Sequence, residues 1–440
     1  TEKIHRTPAA IGGALLMLLV GMHYGIFDAS IEPLLEEKIA GKHLSPEELA
    51  IEKRILIQDY VVRELVDYEV IMLLMGMMII VGVLMPTGFF EYLAVKAAKM
   101  ARGDPWKMTI LLGGTTTFLS MIVDNVTTIL LIVPVTIMVA NKLKISAVPL
   151  LLCEALLSDV GGVGTLVGDP PNIMIASATG FTFMDFIYHL LPVVMVALFV
   201  ALFTLRLVFW DYMSTKPSEE AVASLMALDE NEQLKDIGTM KRALAVLGIT
   251  VMGFLVHGEL GLQPSIVALM GGILALIVTK ADIYKTLGEV EWPTLLFFAG
   301  LFVVVGIVAE VGVLKIVANW IISTSRGDVI YATMLVLWVG AIASAIVDNI
   351  PFTAAMIPVI TEMSATMNVN PVWWGLAMGV GFGGNGTPIG SSANVITVGL
   401  AEKYGHPISF KEWIKAGTPV MIISTIIGSI VTLMFTSYMY

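Results

Sequence analysis

Long apolar runs, broken by a few short polar islands, dominate the chain. The first run, PAAIGGALLMLLVGMHYGIF, fills residues 8–27, and others follow at 70–85, 185–209, 243–256, 264–279, 294–309 and 414–437. Repeated windows approach the ~20 apolar residues that a bilayer-spanning helix needs. The pattern predicts an all-α polytopic membrane protein. Residues 8–27 read as a first membrane helix rather than a secretory signal, because no small-residue cleavage site follows and many spans come after. Two amphipathic runs, 88–101 and 312–325, suit helices lying at the membrane interface.

Four islands interrupt the apolar sequence: Asp124-Asn125-Val126-Thr127-Thr128, Asp159 to Asn172, Asp348 to Thr353, and Gly381 to Asn394. A charge at membrane depth is costly and normally faces a cavity or a partner. Glycine and proline runs at that depth mean broken helices, tolerated where the backbone lines protein or water. Their free N–H and carbonyl groups can hold ions directly. Asp and Asn at such breaks also cap half-helices, but Ser or Asn would cap without the charge, so capping alone does not explain the acids.

The islands repeat. At an offset of 224, Gly76, Gly82, Ser120, Asp124, Asn125 and Pro134 fall on Gly300, Gly306, Ser344, Asp348, Asn349 and Pro358. With two residues deleted, GGVGTLVGDPPNI (161–173) lies over GGNGTPIGSSANV (383–395). The chain therefore divides into an N-terminal helix with an acidic segment (1–66), a first repeat (67–210), an acidic linker with two connecting helices (211–290) and a second repeat (291–440). Three net crossings in the first repeat and two in the connecting helices make an odd number, so the second repeat is expected to be inverted, a common transporter plan.

Composition agrees. Of 440 residues, 57% are hydrophobic and only 14% charged, against ~25% charged in soluble proteins; mean hydropathy is +0.87. The net charge of −11 is concentrated in residues 28–67 and 211–242, read as solvated loops and not as a partner surface. No nucleic-acid partner is expected. Lys3, Arg6, Lys96, Lys99, Arg102, Lys107, Lys142, Lys144, Lys241, Arg242, Lys280, Lys285, Lys403, Lys411 and Lys415 fall on one side of the predicted topology, with Lys315 and Arg326 against the trend. The N-terminus is thus expected in the cytoplasm and the C-terminus outside, in a plasma membrane. A single cysteine, Cys153, excludes an intrachain disulfide and a thiolate metal cluster. The 27 methionines suit packing and lipid contact.

Asp124, Asp159, Asp169 and Asp348 bring acids to the islands, and none of the four stretches contains Lys or Arg. A dianion site would want Arg or many neutral donors, whereas carboxylates and carbonyls suit a hard cation or a proton. Na⁺ or H⁺ is the expected coupling ion, with no other cofactor. The repeats differ where Asp169 falls on Ser391 and Pro170-Pro171 on Ser392-Ala393, so ion chemistry is weighted toward the first. Glu154 belongs either to a proton path with Asp159 or to a hydrogen bond with a neighbouring helix. His23, His189 and His257, near span ends, read as interfacial residues. Gly162-Val163-Gly164 matches a nucleotide loop too poorly to count.

VDNVTTILLIVPV, GDPPNIMI, DNIPFTAAMIPV and GGNGTPIGSSANV resemble signature stretches of the ion transporter superfamily, in the branch of ArsB permeases and P-protein-like carriers, with NhaD sodium/proton antiporters nearby. The resemblance covers both repeats. It implies one N-terminal helix plus two inverted repeats, each with a re-entrant hairpin and a discontinuous helix, in a homodimer working by an elevator motion. Carried over by position, a first Na⁺ site would centre on Asp124 and Asn125 with Thr127, Thr128, Gly164, Thr165, Asp169 and Asn172. A second would centre on Asp348 and Asn349 with Thr353, Asn385, Thr387, Ser391 and Asn394. Dicarboxylate carriers of the superfamily place Ser-Asn-Thr where this chain has Asp-Asn, which argues against citrate or succinate. NhaD-like antiporters tend not to have the Pro-Pro-Asn that follows Gly168-Asp169 here.

The expectation is a secondary active antiporter moving Na⁺ or a small, weakly acidic oxyacid such as an arsenite-like species, with no enzymatic activity. A Na⁺-coupled dicarboxylate or citrate symporter and an anion channel are the alternatives. An intramembrane aspartyl protease, in which two aspartates share a proton, is disfavoured because each Asp124-type acid sits in a duplicated island, and residues 166–169 read LVGD rather than Gly-x-Gly-Asp.

Overall fold

A computed structural model describes residues 6–40 and 44–434, and every regular element among them is helical. The leading helix α1 (Arg6–Tyr24) is followed by α2 (Asp28–Ile39) and α3 (Pro46–Tyr60), then by α4 (Tyr68–Leu84) and α5 (Phe89–Met100). A helical hairpin, α6 (Pro105–Ser120) and α7 (Asn125–Leu143), precedes α8 (Val148–Gly162) and α9 (Pro170–Thr179), which are separated by an irregular break. Next come α10 (Phe183–His189), α11 (Leu191–Val208), α12 (Trp210–Met213), α13 (Glu219–Met226), α14 (Ile237–Leu260), α15 (Pro264–Thr279) and α16 (Ile283–Gly288). The remainder runs α17 (Trp292–Glu310), α18 (Val313–Ser325), α19 (Val329–Ser344), α20 (Asn349–Met363), α21 (Asn370–Gly384), α22 (Ser392–Lys403) and α23 (Phe410–Met434). Among the described residues seven helices are long and apolar enough to cross a membrane: α1, α4 with its 3₁₀ extension, α7, α11, α14, α17 and α23.

The order α4 to α9 recurs as α17 to α22, and matched positions make matched bonds. Ser120 Oγ donates to the Ser158 carbonyl (2.9 Å), and Ser344 Oγ to that of Val380 (2.7 Å). Thr165 Oγ1 reaches the Met121 carbonyl and Thr387 Oγ1 that of Ala345, each at 2.5 Å. Asn172 Nδ2 spans the first break to the carbonyls of Val163 (3.0 Å) and Thr165 (2.8 Å); Asn394 Nδ2 spans the second to those of Gly384 (2.9 Å) and Thr387 (3.4 Å). Each broken helix is therefore stitched to its hairpin tip by a hydroxyl and across its own gap by an amide. These bonds occupy carbonyls that lipid cannot satisfy.

Two departures from the sequence reading have local causes. The run at 185–209 is split between α10 and α11 at Leu190, and Pro192 takes its place in the first turn of the new helix. The acidic segment 28–67 is largely helical rather than a plain loop. Ser45 and Glu48 form a reciprocal capping box at the start of α3, and Ile31, Ile57 and Val61 pack on Phe27 and Ile307. Ser30 Oγ and Tyr60 OH both donate to the Glu310 carboxylate at 2.6 Å, fastening this segment to the end of α17.

The linker is tied down more lightly. Lys99 on α5 forms an ion pair with Glu230 and donates to the Leu228 carbonyl at 2.7 Å. That ion pair holds the Glu230 carboxyl below the usual glutamate range, so the contact is complete at neutral pH and is lost as pH falls through the lowered value. Lys99→Ala is expected to speed protease cleavage between residues 214 and 236 at neutral pH while leaving the membrane helices intact. Unchanged cleavage would show that the pair does not fasten the linker.

Candidate functional site

The two hairpin tips and the two helix breaks meet. Asn125, the first residue of α7, and Asn349, the first of α20, are 2% and 3% exposed. Asn125 Nδ2 donates to Asp159 Oδ1 at 3.1 Å and lies 3.5 Å from Asp169 Oδ1. Asn349 Nδ2 donates to both Asp169 oxygens, at 3.3 and 3.2 Å. Ser391, at the second break, donates from Oγ to Asp159 Oδ1 at 3.0 Å. Residues from three separate elements thus converge on Asp159 and Asp169, which are 1% and 2% exposed. Asp159 comes from the last turn of α8 and Asp169 from the residue preceding α9, so both belong to the first break.

Amides and a hydroxyl cannot neutralise two carboxylates; they only donate hydrogen bonds. A buried charge needs a counter-charge or a proton. Asp159 Oδ2, Asn394 Oδ1 and both polar atoms of the Asn385 side chain are buried without a hydrogen-bond partner. Buried polar groups are normally satisfied, so these atoms call for a partner such as an ion or a water molecule. Among the described residues no group of three His, Cys, Asp or Glu side chains is placed to hold a metal ion. The donor set is oxygen-rich and lacks the soft or imidazole ligands of transition-metal sites, so any ion it held would be a hard one.

The paired Asp and Asn of each tip part company. Asp124 caps α7, accepting from Thr127 N (2.9 Å) and Thr127 Oγ1 (2.7 Å). Asp348 accepts from Ile350 N (3.1 Å) at the start of α20 and from Ser392 Oγ (2.7 Å). The Asn side chains carry the contact to the centre. Thr353 bonds back to the Asn349 carbonyl at 2.7 Å, and Gly164 N closes a turn on the Gly161 carbonyl at 2.9 Å. Thr128 is buried with its hydroxyl unpartnered. Glu154 stands apart from the acids: Oε1 accepts from Thr136 Oγ1 of α7 at 2.5 Å, and Oε2 is unpartnered.

Two residues escaped sequence reasoning, Arg6 and Glu291. Arg6 pairs with Asp348 (3.7 Å), donates to Ser392 and places its guanidinium 5.4 Å from the Phe297 ring centroid. The second acidic island therefore has a basic partner, although its local sequence contains none. Arg6 and Asp348, with Glu291, Thr294 and Ser392, line a cavity of about 680 Å³. A contact spanning 386 residues leaves no local signal. Two of the histidines are structural: His257 Nε2 accepts from Phe183 N (3.1 Å) while Nδ1 meets the Leu262 carbonyl (2.8 Å), and His189 stacks on Trp374 at 4.5 Å.

Comparison with known proteins gives concordant results. A family model described as "citrate transporter" (CitMHS) matches residues 1–379. A transporter of Mycobacterium tuberculosis, uncharacterized in activity, is 44% identical over 369 residues, covering 83% of this chain and 85% of that one. The human P protein is 33% identical over 446 aligned residues, covering 83% of this chain and 53% of its own length. Among solved structures, the YdaH transporter of Alcanivorax borkumensis superposes with a TM-score of 0.60 at 14% identity, covering 99% of this chain and all of that one. At that identity the likeness concerns the fold.

Proposed function

The chain belongs to the citrate transporter family CitMHS, and from that membership we propose that it is a secondary active antiporter driven by a proton or Na⁺ gradient. It is an integral membrane transporter; the reading concerns what it couples. The observation that carries it is the buried Asp159–Asp169 pair, approached by an amide from each hairpin tip. A proton or Na⁺ on this pair removes the charge penalty that otherwise opposes moving it through the membrane. The cargo is Na⁺ itself or a small, weakly acidic oxyacid. The two repeats lie inverted, with the N-terminus cytoplasmic and the C-terminus external, and the hairpins and breaks move together as an elevator within a homodimer.

Asp124, Asp348 and their neighbours then act at the rims, and the centre discharges once per cycle. Citrate symport is the second reading. It is favoured by the family description and by Arg6, whose guanidinium could meet a carboxylate if Asp348 released it.

Proteoliposomes with a trapped pH-sensitive dye decide between them. An imposed Na⁺ gradient, with K⁺ in place of Na⁺ as control, should drive protons the opposite way without added citrate. Ion movement that requires citrate and runs in the same direction supports the symporter. Vesicles inert to both gradients, with and without citrate or arsenite, would sink both readings.

A further inference from the structure

A groove of about 720 Å³ lies between α5, α6 and α14 and ends at Ile122 and Val123, next to the first hairpin tip. Its wall is built from Phe90 and Leu93 of α5, Leu111 and Phe118 of α6, and Leu244 and Val251 of α14. The polar side chain on that wall, Thr115, donates its hydroxyl to the Leu111 carbonyl at 2.7 Å. Such a surface offers little to a polar solute and much to a hydrocarbon chain. Phe118 and Ile110 are exposed at its edge, so the groove opens outward, where a membrane protein meets lipid. Its volume falls within the range of about 300–1,000 Å³ of small-molecule sites.

One end of the groove is basic. Lys107 lies three and four residues before Ile110 and Leu111, and seven before Gly114, so it continues the groove face of α6 by one turn. Lys241 stands three residues before Leu244 and seven before Gly248, and does the same on α14. Both lysines are exposed, and among the described residues neither has an ion-pair partner. The nearby acids are engaged elsewhere: Asp104 and Asp236 cap α6 and α14, and Glu230 pairs with Lys99. The charged linker runs along α5 from that pair to Lys235, whose N–H donates to the Thr87 carbonyl at 2.9 Å. It leads from there into α14, while residues 101–104 lead from the other end of α5 into α6. Helix α5 therefore holds the starts of both lysine-bearing helices at the polar boundary, with the apolar groove beyond them.

We propose that this groove is a binding site for an anionic phospholipid, with an acyl chain along α6 and α14 and the headgroup phosphate between Lys107 and Lys241. Apolar wall and basic mouth match the two halves of that molecule, and each lysine near a membrane surface favours a negative headgroup. The site goes beyond the transport reading and does not depend on it.

Native mass spectrometry of the detergent-purified protein, given equal amounts of dioleoyl-phosphatidylglycerol and dioleoyl-phosphatidylcholine, tests it without measuring flux. The wild type is expected to retain phosphatidylglycerol about tenfold over phosphatidylcholine, the scale of two surface lysines acting on one headgroup. Lys107→Gln with Lys241→Gln should bring that preference near parity while both lipids still bind. Gly248→Leu should lose the retained lipid of either kind at an unchanged melting temperature, because a Cβ at Gly248 meets nothing within 4 Å and the longer side chain fills the groove. Equal retention of the two lipids by the wild type overturns the proposal, as does a preference that survives loss of both lysines. Full lipid retention by Gly248→Leu overturns it as well, since the lipid is then annular; if that variant does not fold, Gly114→Leu, at the other open glycine of the groove, carries the same criterion.

Discussion

Asp169→Asn is expected to reduce gradient-driven ion flux by at least about a hundredfold, equivalent to about 2.8 kcal/mol at about 1.4 kcal/mol per decade, while the protein still folds. Asparagine has the shape of aspartate, and its oxygen can still accept the Asn349 amide that now reaches both carboxylate oxygens. The loss is of charge rather than of packing. A neutral amide can neither hold a proton in exchange nor offset a cation. Flux in proteoliposomes and the melting temperature in detergent should therefore separate cleanly, with the first collapsing and the second holding or rising, since a buried uncompensated charge has been removed. Full coupled flux in Asp169→Asn would remove this residue from the mechanism.

Gly168→Ala should fail in the opposite way. A Cβ at Gly168 would stand 2.6 Å from both the Gly162 and the Ser120 carbonyl oxygens. Those oxygens belong to the backbone of the break and of the hairpin, so no side-chain rotation relieves the clash. Overpacking of this kind costs about 1–3 kcal/mol, and here it pushes hairpin tip and break apart together. The expected result is a markedly lower melting temperature in detergent, with flux lost as a consequence. Gly114→Ala is the matched control, because a Cβ there meets nothing within 4 Å. If Gly168→Ala melts like Gly114→Ala, the tip and break do not pack as described.

Much of the architecture was legible because membranes simplify the code. Apolar runs located the helices to within a few residues: the run at 264–279 is α15 (Pro264–Thr279), and that at 294–309 lies within α17 (Trp292–Glu310). The repeated Ser, Thr, Gly and Asn positions were legible too, and their matched bonds explain why those residue types recur. Side-chain direction was not legible. At a helix start an aspartate can turn back to cap its own backbone, and Asp124 does so, leaving the inward contact to Asn125. Sequence adjacency cannot separate those two orientations. Nor does the sequence around Arg6 or Glu291 show what they reach, since both meet their surroundings through tertiary packing. The helices of the acidic segment were different: Ser45-Pro46-Glu47-Glu48 carries a readable helix start that its charge obscured.

The scaffold bonds are doubled while the central acids are not. Asp159 falls on Gly381 and Asp169 on Ser391. Gly381 is closely packed: a Cβ there would stand 2.2 Å from Val163 Cγ2, so Val163 would have to move to admit one. A chain made of two first repeats would crowd four carboxylates into a space that holds two. A chain made of two second repeats would have the frame and nothing to charge it. Neither symmetric version could work, so the centre exists only because each half gives up, at these positions, its likeness to the other.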